Sequence, residues 1–188
     1  MFRHMPGSYD VGVATHAAFL RGMNVGGHRI TNDDLRAAFA ETGFEDVGVF
    51  RASGNVAFDA GNGDPTATIE TGLESALGYA VPTFVRTAKE MHTLAADEPF
   101  DAKTLEAAKG KLQVVFLRKR PPKSVLDRAT ESDQLALGAG AELYWLPSGG
   151  LMESELGMAG LADLAGAATT RTKGTVEQIT KKFFAATE

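Results

Sequence analysis

The chain of 188 residues contains no cysteine. That absence excludes disulfides, thiolate nucleophiles and cysteine-ligated metals, and it makes the cytoplasm the expected compartment. No apolar run approaches the roughly 18 residues needed to span a bilayer, so no membrane association is expected. Residues 1–12 lack the apolar centre of a signal peptide and read as a disordered leader. Nucleotide fingerprints are missing too. There is no Gly-Lys-Ser/Thr of a Walker loop and no Gly-x-Gly-x-x-Gly, and no cofactor is called for. Metal binding has no support: His16 alternates along a strand and His92 lies along a helix.

Positive charge is scarce in the first half. Residues 1–98 hold 7 Lys/Arg against 13 Asp/Glu, whereas residues 99–188 hold 12 against 11. An acidic first half argues against a general nucleic-acid binder, whose affinity comes from neutralising phosphates. The basic run Arg118-Lys119-Arg120 with Lys123 lacks interleaved aromatics, and the aromatic signature of an RNA-binding plait is absent. Hydrophobic content of 44% and charged content of 23% are ordinary for a soluble globular protein.

Patterning within the chain is more informative. Val11–Leu20 reads as a strand whose pattern is clearest from Thr15 onward, followed by a glycine-rich stretch from Arg21 to Arg29. Thr31 with Asp34 forms an approximate capping box for a helix carrying Leu35, Ala38 and Phe39 on one face, with Gly43 just past its end. Val47–Ala52 and Asn55–Asp59 read as a hairpin turning at Ser53-Gly54. Asp64 and Pro65 open a second helix that ends at Gly78. Val81–Arg86 supplies a fourth strand. Thr87 with Glu90 caps a short helix, and another over 103–109 is stopped by Gly110.

The second half repeats that order. Leu112–Leu117 is a strand, and Pro121-Pro122 opens a helix. Gln134–Leu137 and Glu142–Leu146 form a hairpin, Ser154–Leu164 a glycine-interrupted helix and Ala167–Thr170 a final strand. A terminal helix buries Val176, Ile179, Thr180 and Phe183. The fold expected is α/β (α+β): two tandem ferredoxin-like α/β plaits, each β-α-β-β-α-β, with extra helices at the junction and the C-terminus. The units fall at 13–90 and 111–188, joined by a helical connection over 91–110. The two halves share this order without a convincing residue-level repeat.

The stretch Phe19-Leu-Arg-Gly-Met-Asn-Val-Gly-Gly runs from a strand into a helix start, the usual geometry for holding an anion. Arg21 would pair with the anion, Asn24 would hydrogen-bond it, and Gly26 and Gly27 would let the backbone approach. The alternative is a tight β-to-α connection that needs flexible glycines. His28 is a candidate acid/base beside a solvated-loop reading. Arg51, Ser53 and Asn55 mark the hairpin, where turn chemistry is the competing explanation. Asn55 is placed at the sheet end opposite the exit of the first strand. Arg171 and Lys173 could contribute a basic face from the second half.

That first motif, with Ser53-Gly-Asn-Val-Ala-Phe58 about thirty residues later, resembles a bacterial family called domain of unknown function 1697. Val81-Pro82, Val85-Arg86, Glu98-Pro99-Phe100, Val114-Val115-Phe116-Leu117 and Ala168-Thr169-Thr170-Arg171 fit the same pattern. The resemblance implies two ferredoxin-like units and assigns no activity. Two departures stand out. Met152-Glu153-Ser154-Glu155-Leu156 replaces the usual Gly-Arg-Ser-Lys-Leu, and Thr172-Lys173-Gly174-Thr175 follows Arg171 where Asn-Trp-Asn-Thr is usual. The expectation is therefore a small anionic ligand, such as a nucleotide or phosphate, at the loop after the first strand. The alternatives are an enzyme acting on a phosphorylated or carboxylated small molecule, using His28 or Arg51, and a nucleic-acid-binding plait.

Overall fold

Short-range signals in the sequence fix where the helices begin. The Thr31 hydroxyl accepts the Asp34 N–H while the Asp34 carboxylate returns to the Thr31 N–H, and this capping box starts α1 (Asn32–Glu41). The same reciprocal pair between Thr87 and Glu90 starts α3 (Ala88–Ala96). Between them lies α2 (Thr66–Leu77), which ends at Gly78 in the left-handed region at φ 77°. Its N-cap is Pro65, not the expected Asp64, which instead accepts the Thr66 N–H at 2.9 Å. In the second half come α4 (Ala102–Ala107) and α5 (Lys173–Phe183). The computed structural model describes residues 14–23, 30–51, 54–130, 133–147, 149, 154, 156–157, 160 and 167–184. The expected leader and most of the helix over 154–164 lie outside them.

The strands form two four-stranded antiparallel sheets in a mixed α/β arrangement. The first contains β1 (His16–Leu20), β2 (Glu45–Val49), β3 (Asn55–Asp59) and β4 (Thr83–Thr87), in the order β2-β3-β1-β4. The second contains β5 (Gln113–Leu117), β6 (Gln134–Leu137), β7 (Glu142–Leu146) and β8 (Ala168–Thr172), in the order β6-β7-β5-β8. Three local expectations are corrected. β2 begins and ends earlier than Val47–Ala52, because the register shifts between Glu45 and Gly48 and because Arg51 turns left-handed at φ 57°. After Pro121-Pro122 the chain forms a 3-10 helix (Lys123–Arg128) rather than an α-helix. The segment is short and buries only Val125, too little apolar face to hold a longer helix. Gly110 does not stop α4. A Cβ there would lie 2.4 Å from the Pro147 carbonyl and 2.5 Å from that of Gly149, so glycine permits a close backbone approach.

Strand alternation sends the two faces of each sheet to different cores. On the first sheet Ala18, Leu20, Val56 and Phe58 pack under α1 and α2 with Leu35, Phe39, Ile69 and Leu73. The other face, with Ala17, Phe19, Ala57 and Phe84, joins Val114, Phe116 and Tyr144 of the second sheet, together with residues of α3 and α5, in one shared core. At its centre Phe19 stacks on Phe116 with ring centroids 3.9 Å apart. Val115, Leu117, Leu143 and Trp145 face away from that core and pack with Val125.

Candidate functional site

Antiparallel pairing of β1 with β3 sets Phe19 opposite Asn55, and the Leu20 N–H donates to the Gly54 carbonyl at 2.8 Å. The β2–β3 turn therefore lies beside the exit of β1, not at the opposite end as expected. A strand that runs antiparallel to its neighbour must start where that neighbour finishes. The loop opening at Arg21 and the turn carrying Arg51 share one end of the first sheet.

Arg171 reaches that end from β8. Its Nε donates to Asn55 Oδ1. One terminal nitrogen donates to the Thr170 carbonyl at 2.7 Å and to the Thr169 hydroxyl at 2.9 Å. The other donates to the Leu20 carbonyl at 2.9 Å and the Gly54 carbonyl at 3.2 Å. All five guanidinium donors are used. Burial pulls its pKa down to about 10, so the group stays charged at neutral pH. Arg171 ties the second half to the first and has no donor left for a ligand.

The first half repays the contact in kind. Arg86, on β4, donates through Nε to Glu142 at the start of β7. It also donates to the Val85 carbonyl at 2.7 Å, the Leu117 carbonyl at 3.2 Å and the Ala141 carbonyl at 2.9 Å. Glu142 stands where Asn55 stands, Leu117 where Leu20 does, and Ala141 where Gly54 does. Arg86 lies 5.4 Å over the Phe116 ring and Arg171 lies 5.8 Å over the Phe19 ring. A matching pair of arginine clamps thus flanks the Phe19–Phe116 stack. The repeat missed in the sequence is Phe19-Leu20-Arg21 against Phe116-Leu117-Arg118, and Arg86-Thr87 against Arg171-Thr172.

A cleft of about 550 Å³ opens beside the Arg171 clamp, where α5 begins. Arg51 enters it from the β2–β3 turn, Lys111 from the residues before β5, and Lys173 from the first turn of α5, with no carboxylate among the described residues of its lining. The Arg51 guanidinium donates to Gln178 Oε1 at 2.9 Å and lies over Phe50. Lys173 is more constrained, donating to the Ala95 carbonyl at 2.8 Å and to Glu177 at 2.7 Å. The Thr172 hydroxyl accepts the Thr175 N–H at 3.2 Å, and the Lys173 N–H goes to the Leu112 carbonyl at 2.9 Å. The Gly174 N–H of this first turn is left over, and the helix end adds partial positive charge to the cleft.

The expected site residues thus separate. Arg51 and Lys173 share the cleft, Asn55 and Arg171 share a clamp beside it, and Arg21 is exposed where β1 ends. Asn24, Gly26, Gly27, His28 and Ser53 lie outside the described residues. Lys111 was missed, since a lone lysine before a strand carries no signal until the fold brings Arg51 to it. Among the described residues no group of histidine and acidic side chains could hold a metal, and no helix is long and apolar enough to cross a membrane.

These features define an α/β protein of two face-sharing antiparallel sheets, locked by reciprocal arginines and holding a basic cleft at their junction. The chain belongs to the family described as protein of unknown function (DUF1697), whose model matches residues 13–144. Among solved structures it is similar to the conserved bacterial protein SP0830 from Streptococcus pneumoniae, at 15% identity and a TM-score of 0.65. That similarity covers 89% of this chain and 97% of the other, and it speaks to the fold alone. No curated protein matches the chain at a significant level.

Proposed function

We propose that the protein binds a small anionic ligand, a phosphate or nucleotide, in the cleft where Arg51 and Lys111 meet the first turn of α5. The observation that carries this reading is the convergence of three cationic side chains from separate elements on one cleft, without a carboxylate among the described residues of its lining. A phosphate there would take charge-assisted hydrogen bonds from Arg51 and Lys111 and the spare N–H of Gly174. The Arg21 loop leaves the same sheet end, which supports its forming part of the rim. We read the two sheets as tandem ferredoxin-like units over 13–90 and 111–188. Their strand orders support this, because numbering each unit from its own first strand gives the same 4-1-3-2 sequence in both. A cytoplasmic location belongs to the same reading and rests on the cysteine-free sequence.

Thermal unfolding with inorganic phosphate and AMP tests the site. A ligand of the native state raises the melting temperature in a dose-dependent way. The rise should disappear in Arg51→Ala/Lys111→Ala and shrink in Arg21→Ala if the loop contributes. An unchanged rise in the double variant, or none with either anion in the native protein, refutes the assignment.

A further inference from the structure

A second cleft, of about 360 Å³, runs along β4 and is lined by His16, at the start of β1 rather than its end. His16 is 8% exposed, and its ring stacks on Phe58. Its Nδ1 lies 2.8 Å from the Thr15 hydroxyl oxygen. That hydroxyl gives its only proton to Asp59 Oδ1 at 2.7 Å. The Thr15 hydrogen bond in turn holds the Asp59 carboxyl below the usual range, so it is an ionised acceptor. The Thr15 oxygen therefore has only lone pairs to offer, one to the Ala60 N–H at 3.2 Å and the other to His16 Nδ1–H. A neutral imidazole has one N–H, so Nε2 is left as a bare acceptor. Among the described residues no side-chain nitrogen or oxygen is both fully buried and unpartnered, so Nε2 opens into the cleft.

The charged side chains lining the cleft are two carboxylates and two arginines. Asp64, ahead of α2, and Glu90, on α3, line the cleft without an ion-pair partner among the described residues. The two arginines of the lining are already matched, Arg86 by Glu142 and Arg118 by Glu70. What remains is one inward-facing acceptor and two carboxylates outside any ion pair, of which Asp64 is held below the usual carboxylate range by its Thr66 hydrogen bonds and, less strongly, by the Arg118 charge. Among the described residues, two carboxylates with one imidazole do not form a metal-holding group.

We propose that this cleft binds a small primary ammonium group, which donates an N–H to His16 Nε2 while Asp64 and Glu90 balance its charge. Burial lowers the His16 pKa even though Asp59, Glu90 and Asp64 pull it upward, and this keeps the ring neutral and accepting at neutral pH. The charged groups facing it are Asp59 from β3, Asp64 from the loop before α2 and Glu90 from α3, and Arg86 from β4 and Arg118 after β5 line the same cleft. An imidazolium would offer a proton where the ligand brings one. Affinity therefore falls on acidification. The site is independent of the basic cleft and prefers ligands of the opposite charge.

Long-range 1H–15N spectra of the histidine rings in the full chain test this, with putrescine and ethanolamine as probes and tetramethylammonium, which has no N–H, as the control. The free protein should show His16 protonated at Nδ1. Each primary amine should shift its Nε2 resonance saturably at pH 7.5, and tetramethylammonium should not. Calorimetric affinity for putrescine should weaken by about tenfold in Asp64→Asn/Glu90→Gln and vanish in His16→Phe. The double variant keeps a glutamine able to complete the Thr87 capping box, so folding is preserved. A ring protonated at Nε2, an Nε2 resonance unmoved by both amines, or equal putrescine affinity in the double variant overturns the proposal.

Discussion

Replacing Arg86 by methionine strands the Glu142 carboxylate in a site where the two side chains are only 7% and 3% exposed. The remaining bond to Glu142 would be the Gly140 N–H at 3.0 Å. Breaking a buried ion pair from one side costs about 3–5 kcal/mol, and with so little left to satisfy the anion the upper part of that range applies. Glu142→Leu strands the guanidinium instead, but the carbonyls of Val85, Leu117 and Ala141 still accept from it. Its cost should sit near ~3 kcal/mol. Combining both changes removes the pair together with its desolvation, so the double variant should lose far less than the two singles summed. Urea unfolding followed by the fluorescence of Trp145, the only tryptophan and fully buried in the second sheet, closes the double-mutant cycle. The sister clamp supplies an internal standard. Asn55→Ala removes a neutral acceptor and should cost about 1–3 kcal/mol. Single losses under about 1 kcal/mol at Arg86, below the range for a stranded buried charge, would refute the assignment of the clamp as a buried charge pair. So would additivity of the cycle.

The lowered His16 pKa makes stability pH-dependent. As pH falls below the ordinary value of 6.5 the unfolded chain takes the proton before the native one, so stability present above that value is lost through the window down to the folded pKa. Comparison with His16→Gln by urea titration between pH 7.5 and pH 5 should show this loss only in the parent chain. Thr87→Ala removes the hydroxyl end of a capping box and should cost about 1 kcal/mol, read from the same urea curves. Gly48→Ala puts a Cβ 2.4 Å from the Phe183 ring and should cost about 1–3 kcal/mol through overpacking, with the loss reduced in Gly48→Ala/Phe183→Leu. A fragment of residues 1–110 exposes Ala17, Phe19, Ala57 and Phe84 and should self-associate in analytical ultracentrifugation, whereas the full chain does not do so through this face.

What the sequence disclosed follows from the range of each interaction. Thr31 with Asp34, Thr87 with Glu90, and the buried set Val176, Ile179, Thr180 and Phe183 act within a few residues and could be read directly. The β3, β6 and β7 limits were legible for the same reason, since turn residues and alternating apolar residues bracket them. Strand neighbours were not, and the misplacement of Asn55 followed from that. Arg171 looked like a free cation because its acceptors Leu20, Gly54 and Asn55 are more than a hundred residues away. The Phe-Leu-Arg and Arg-Thr repeats were on view throughout, but offsets of 97 residues for Phe19 to Phe116 and 85 for Arg86 to Arg171 hid them from any fixed-period search. Lys111 and His16 acquire meaning only from partners brought in by the sheets.

Contacts in which each half gives an arginine and receives one are isologous, the arrangement of a two-fold homodimer. In such a dimer both copies would carry the same acceptor, two glutamates or two asparagines. Fusing the halves into one chain removes that constraint. Association becomes intramolecular, so the interface persists at any protein concentration, and the two sides can differ: Glu142 answers Arg86 with a full charge while Asn55 answers Arg171 with a dipole. The Arg171 side keeps one more net positive charge than its twin, and it is the side on which the basic cleft opens.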